Sequence, residues 1–277
     1  MKKEEAKDLY YVYAGILFNT KEFKDEVPLE LIYDLDCVEF KELLEKYNIV
    51  KVAGKGTTFE RVKRVLHYFS RRLEHSSWFD NHVECNSLAL LKYSFNNKDQ
   101  GINCLNKSKV LSEILLALGI YARRVFISPY SPYDFDSHVV VEYFDDNMKK
   151  WIMIDPTSDG YFVDELRRPL SCFEIRKLMG EDKFVTFIRT TEKIDDLKVV
   201  REKYIEENAY IAKNLFRFII EKYSGFGVKK DLTDIYYIPK GYSVADNFRT
   251  NTYFRCDNLP KEYLKLKDKM KEQLECV

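Results

Sequence analysis

Three residues of this chain are of the types that act together on a carbonyl: Cys104, His138 and Asp155. In that chemistry a thiolate attacks an amide or ester carbonyl. An imidazole takes the thiol proton and later protonates the leaving amine, while a carboxylate fixes the ring tautomer and stabilises imidazolium. Taken singly, each has a plainer reading; a lone cysteine is most simply a small buried residue at the start of a core helix. What links the three is where their surrounding elements would place them.

Cys104 opens the stretch Gly101 to Ile120, GINCLNKSKVLSEILLALGI. Leu105, Leu111, Ile114, Leu115 and Leu118 recur at the three-and-four spacing of an amphipathic helix, and Gly119 is placed to end it as the C′ residue. Asn103 is a good N-cap, which makes Cys104 the first helical residue. Unpaired amides and the helix dipole favour an anion there, so a thiol at this place ionises more readily than one in mid-helix. Further on, Ser137 to Phe144 (SHVVVEYF) and Lys150 to Asp155 (KWIMID) read as strands joined by the polar turn DDNMK. A hairpin centred between Asp146 and Asn147 sets His138 directly opposite Asp155, with β-carbons roughly 4.5–5.5 Å apart. Asp136 competes for the carboxylate role, but residues two apart on one strand share a face at too great a distance for a direct bond.

The rest of the chain supplies the frame. Residues 9–18 (LYYVYAGILF) suit a buried strand, and Val38 to Tyr47 has helical spacing. The run AGKGTTFE glances toward a phosphate loop, but the position where that pattern needs its first glycine is Ile49. Thr57 and Glu60 form a capping box instead, starting a helix through Val62, Val65, Leu66 and Phe69. His75, His82 and Cys85 cluster around Trp78 but lack the second ligand pair that zinc requires, so no metal is expected. Asn86 to Phe95 reads as a short helix, Tyr121 to Ser128 as a strand, and SPYSPYDFD as a Pro-broken loop. Residues 194–222 carry a long helical pattern through Leu197, Tyr204, Ile211, Leu215, Phe218 and Ile219; Asp234 to Pro239 looks like a strand, and Pro260 to Glu275 like a Lys/Glu-rich surface helix.

Composition narrows the field of functions. The chain has 277 residues, 45% of them hydrophobic, with 45 Lys plus Arg against 45 Asp plus Glu. A net charge of zero gives no footprint for nucleic acid or a membrane surface. Six cysteines without paired spacing read as reduced thiols of a cytoplasmic protein rather than a disulfide framework. The charged first eight residues and the short aromatic run after them do not suit a signal peptide, and no stretch reaches the length of a membrane span. No Gly/Ser/Pro-rich linker divides the chain, so one domain over 1–277 is expected.

The segments G-x-N-C…L-x-A-L-G-I-x-A-R-x-V, S-H-V-V-V-E and W-x-x-x-D-P-T, here Gly101 to Val125, Ser137 to Glu142 and Trp151 to Thr157, resemble the signature blocks of the transglutaminase-like superfamily, a papain-related group. The resemblance implies Cys104 as nucleophile, His138 as general acid/base and Asp155 as orienting carboxylate. It implies an α+β fold with a papain/transglutaminase-like core, the catalytic helix packed on an antiparallel sheet. Its core would cover about 57–165, with elaborations at 1–56 and 166–277 packed on it. It further implies a cysteine-dependent enzyme acting on a peptide or protein amide through a thioester on Cys104, without cofactor or metal. Hydrolysis of a protease or amidase kind is favoured over cross-linking; a protein-glutamine transglutaminase, or a binding module that kept the fold without catalysis, are the alternatives. An oxyanion donor would be the backbone amide of Cys104, and Trp78 is a candidate for the second, since some members use an aromatic residue upstream of the Cys. Two positions depart from the common pattern, Leu105 after the Cys and Val140 two after the His, and both bear on substrate preference.

Overall fold

A run of Val, Ile and aromatic residues between 122 and 237 builds the sheet that the rest of the molecule covers. The computed structural model describes residues 2–24, 30–131, 134, 136–229, 232 and 234–242. Within them the chain runs α1 (Lys3–Asn19), β1 (Ile32–Tyr33), α2 (Val38–Lys46), α3 (Ile49–Ala53), α4 (Thr58–Ser70), α5 (Ser87–Asn96), α6 (Cys104–Ala117), β2 (Ala122–Ser128), β3 (His138–Asp145), β4 (Lys150–Asp155), β5 (Gly160–Asp164), α7 (Cys172–Gly180), β6 (Val185–Arg189), α8 (Leu197–Lys203), α9 (Ile205–Asn214), β7 (Arg217–Ile220), β8 (Tyr223–Ser224) and β9 (Ile235–Tyr237). Seven strands form an antiparallel sheet in the order β6-β5-β4-β3-β2-β7-β9, and β1 pairs separately with β8. β2 is buried at every position, β3 at all but one, so its centre is covered on both faces. The architecture is α+β, with helices packed on a seven-stranded antiparallel sheet.

α6 is the helix at the centre of this arrangement, buried without a break from Asn106 to Leu116. Val110, Leu111, Ile114 and Leu115 are at most 1% exposed, each contributing about 1.5–3 kcal/mol of burial. Its charged residues are buried with partners: Lys109 Nζ lies 3.0 Å from Glu113 Oε1, and Glu113 Oε2 accepts from the Ser87 amide at 2.8 Å. Gly119 (φ 75°) follows Leu118 as the left-handed stop. α4 starts at the capping box, the Glu60 amide donating to Thr57 Oγ1 while Glu60 Oε2 accepts from the Thr57 amide.

Three expectations about elements are corrected. Residues 9–18 lie in α1, not in a strand: Ala6, Tyr10, Ala14 and Leu17 are buried at helical spacing against α7 and α9, while Tyr11, Val12 and Phe18 face outward. Aromatic strand propensity yields there to tertiary packing. The pattern over 194–222 is broken at Tyr204 (φ −107°, ψ 28°) into α8 and α9, and Phe218 and Ile219 leave the helix to pair in β7 with Ile127 and Phe126. The β3–β4 hairpin pairs Asp145 with Lys150 and Val141 with Ile154, so its centre lies between Asn147 and Met148, one position later than expected. Asp145 Oδ1 fixes this turn by accepting from the Asn147 and Met148 amides at 3.0 and 2.8 Å, and Lys149 takes the left-handed conformation (φ 54°) that closes it. The helix expected over Pro260 to Glu275 lies outside the described residues. Among the described residues no helix is long and apolar enough to cross a membrane.

Candidate active site

The start of α6 is held from outside as well as from within. Asn103 is its extended N-cap, and Asn103 Oδ1 accepts from the Asn106 amide at 3.2 Å. Ile102 bridges the chain at residues 74–76, its amide donating to Glu74 O at 3.0 Å and its carbonyl accepting from Ser76 N at 3.2 Å. Gly101 is required by that crossing, because a β-carbon there would fall 2.5 Å from the His75 backbone. One turn into the helix, Ser108 Oγ donates to Val139 O at 2.6 Å. The residue after His138 is thereby tied to the helix that carries Cys104.

The structure brings Cys104, His138 and Asp155 together. His138 Nε2 lies 3.0 Å from Asp155 Oδ2, and the other carboxylate oxygen accepts from the Thr157 amide at 2.8 Å. With Nε2 so engaged, Nδ1 is the nitrogen left for the Cys104 thiol, which is within hydrogen-bonding reach of the ring. His138 and Asp155 are buried, and Cys104 is partly exposed. Burial pushes the Cys104 thiol up, but the hydrogen bond and charge of His138 and the Val139 amide outweigh it and hold the thiol below its ordinary value. Burial pushes the His138 ring down, yet the charge and bond of Asp155, with the thiol beside it, lift it to about 10. Burial likewise raises the Asp155 carboxyl, and His138 more than reverses that. The three shifts favour one state, a thiolate facing an imidazolium backed by a carboxylate.

The other named residues lie elsewhere. Asp136 accepts from Tyr210 Oη at 3.1 Å and pairs with Lys213 Nζ at 2.9 Å, so α9 holds it. Trp78 is 84% exposed, which does not suit a donor in a desolvated hole and removes the reason for favouring it. His75 Nε2 meets Ser77 Oγ at 3.1 Å, His82 pairs with Asp80, and Cys85 lies 3.8 Å from the Arg124 guanidinium. These three have separate partners, and among the described residues no three metal-ligating side chains gather. Sequence reasoning missed three neighbours of the site. Tyr210 stacks edge-on over His138 with ring centroids 5.5 Å apart, placed there by a helix far along the chain that no local signal points to. Lys107 is only 2% exposed, its Nζ 3.5 Å from Ser70 O. Ser108 was legible, lying four residues after Cys104 on the same helix face.

The site thus sets a thiol at the start of a helix against an antiparallel sheet that carries an imidazole and a carboxylate. Residues 46–156 match the model of the transglutaminase-like superfamily. The matched stretch contains Cys104, His138 and Asp155. No curated protein matches the chain in sequence. Two solved structures are similar to part of the chain: a candidate cysteine protease from Cytophaga hutchinsonii, 20% identical over 45% of this chain and 43% of that one, TM-score 0.33, and a TGase, 19% identical over 43% of this chain and 30% of that one, TM-score 0.29. The chain thus spans less than half the length of each.

Proposed function

We propose that this chain is a cysteine-dependent acyl-transfer enzyme acting on an amide of a peptide or protein, with Cys104 as nucleophile, His138 as general acid/base and Asp155 as the carboxylate that orients the ring. One observation carries the reading: His138 Nε2 is held by Asp155 at 3.0 Å while the Cys104 thiol lies beside the same ring. Cys104 Sγ adds to the amide carbonyl, and the tetrahedral adduct collapses with cleavage of the C–N bond as His138 gives its proton to the leaving amine. A thioester remains on Cys104. Water then adds to it, His138 takes a proton from that water, and the acid leaves as the thiol group is regenerated. Hydrolysis is favoured over cross-linking because Cys104 is partly exposed, which leaves its thioester open to water.

The test is labelling and turnover with Cys104→Ala. The expected result is that iodoacetamide at neutral pH and an activated acyl ester both label the unaltered protein at Cys104 and leave the variant unlabelled. Equal labelling of the variant at another cysteine overturns the assignment. Addition of a primary amine should not speed release of the acyl group; a strong acceleration would show an amine acceptor instead.

A further inference from the structure

We infer that Lys107 is a positioning residue of this site: its buried ammonium supplies the positive charge that balances the thiolate, imidazolium and carboxylate, and so keeps Cys104 ionised. The inference rests on the acyl-transfer reading above. It begins with the helix. Residues three and four apart on a helix share a face, with β-carbons about 5–6 Å apart, so Lys107 and Ser108 both lie on the side of α6 that carries Cys104. Ser108 Oγ donates to Val139 O at 2.6 Å, so this side faces the start of β3, where His138 stands. Lys107 therefore leaves the helix beside the three reacting groups rather than toward solvent.

Its surroundings do not account for a lysine. The residue is 2% exposed, yet its ammonium, with three protons to donate, has one long bond, to Ser70 O at 3.5 Å. Among the described residues it makes no direct ion pair. Lys109, buried on the same helix, differs: its Nζ lies 3.0 Å from Glu113 Oε1 and donates to Gly225 O at 3.1 Å. Burial pulls the Lys107 ammonium down, and Asp155, then Glu74, Asp159 and Cys104, oppose that. The His75 ring is lowered by burial and then by the charges of Lys107 and His138, while Asp155 raises it, so these groups share one neighbourhood. Of the three carboxylates, Glu74 is exposed to solvent, and Asp159 is engaged by His67 Nδ1 at 2.7 Å and Thr190 Oγ1 at 2.7 Å. Asp155 is the buried one.

Charge balance gives the lysine its role. Thiolate, imidazolium and carboxylate together leave one negative charge in excess, and the ring and carboxylate are both buried. An uncompensated charge in such a place is lost by protonation of the group that accepts a proton most easily. Asp155 is held below the usual carboxylate range, so that group is the thiolate. A cation one helical turn from the sulfur removes the excess, and the thiolate persists.

The test compares Lys107→Met with Lys107→Gln, which keeps an N–H to offer Ser70 O but carries no charge. The rate of alkylation of Cys104 by iodoacetamide is followed against pH, and stability by urea unfolding. Unit charges a helical turn apart in a partly buried site move one another by about one pH unit or more. In both variants the acid limb of alkylation should therefore move up by about one unit, a roughly tenfold slower reaction below the limb. The unfolding midpoint should stay or rise, because a poorly bonded buried cation has been removed. An unmoved limb overturns the inference. So does a limb that moves in Lys107→Met but returns in Lys107→Gln, which would make the bond to Ser70 O the cause, and so does failure of both variants to fold, which would mark Lys107 as structural. Acylation by an activated ester keeps the two readings apart: a parent protein that is alkylated but never acylated overturns the acyl-transfer reading, while the limb still decides the role of Lys107.

Discussion

Asp155→Asn removes one charge from the site while keeping the side-chain shape, and the geometry fixes which way the new amide turns. Asp155 Oδ1 accepts from the Thr157 amide at 2.8 Å, a bond that only an oxygen can keep. The amide NH₂ of the variant is therefore directed at His138 Nε2. To accept from it, the ring must carry its proton on Nδ1, facing the thiol, and it can then no longer take the thiol proton. The electrostatic loss can be sized separately. His138 is lifted from 6.5 to about 10 against the opposing effect of burial, and at about 1.4 kcal/mol per pH unit this is roughly 5 kcal/mol. Asp155 raises the ring more than the thiol does, so the variant loses most of that stabilisation of the thiolate–imidazolium pair. The assay is the pH dependence of two rates at Cys104. In the parent protein the acid limb of alkylation should lie below the ordinary thiol value, because His138 holds the thiol down. Acyl transfer needs the imidazolium proton as well; a group raised in the folded protein keeps its proton below its own pKa, so this rate should fall again as the pH rises through about 10. In Asp155→Asn the alkylation limb should move up toward a free thiol, and acyl transfer at neutral pH should drop by about 10²–10⁴-fold. An unmoved limb in the variant would refute the assignment of Asp155 as the source of the ring's charge.

Two further substitutions test the frame around the site. Ser108→Ala removes the buried bond from Ser108 Oγ to Val139 O, at a cost of about 1–3 kcal/mol in urea unfolding; because that bond joins the helix of Cys104 to the strand of His138, kcat should fall more than KM rises. Thr57→Ala breaks the capping box at the start of α4 and should cost about 1 kcal/mol by the same measurement, with the alkylation rate of Cys104 left as it was.

How much of this was legible in the sequence depends on whether the signal was local. The N-cap Asn103, the first helical residue Cys104 and the stop at Gly119 are set by residues within a turn of one another, and they lie where the spacing put them. The capping box of α4 is equally local. The run 9–18 misled because its aromatic residues carry strand propensity, while its helical burial depends on α7 and α9, more than a hundred residues away. The departure of Phe218 and Ile219 from the helical pattern depends in the same way on their pairing with Ile127 and Phe126 of β2. The contact of Phe79 and Asn81 with Asn103 gave no local signal; it forms only because the chain at 74–76 crosses Ile102.

The hairpin shows why an error in register left the pairing of His138 with Asp155 intact. Moving the turn centre by one position shifts the pairing of the two strands by two residues, and side chains alternate faces with a period of two. His138 and Asp155 therefore stay on the same face, but as diagonal neighbours, since the ladder that pairs Val141 with Ile154 runs on toward Val140 and Asp155. Diagonal neighbours are roughly 7–8 Å apart at the backbone, a gap that an imidazole and a carboxylate reaching toward each other close to the observed 3.0 Å. A slip by a single residue would have turned Asp155 to the opposite face and left His138 without a carboxylate. The turn bonds from Asp145 Oδ1 and the left-handed Lys149 thus act on the site from its far end, by fixing the parity on which the His138–Asp155 contact depends.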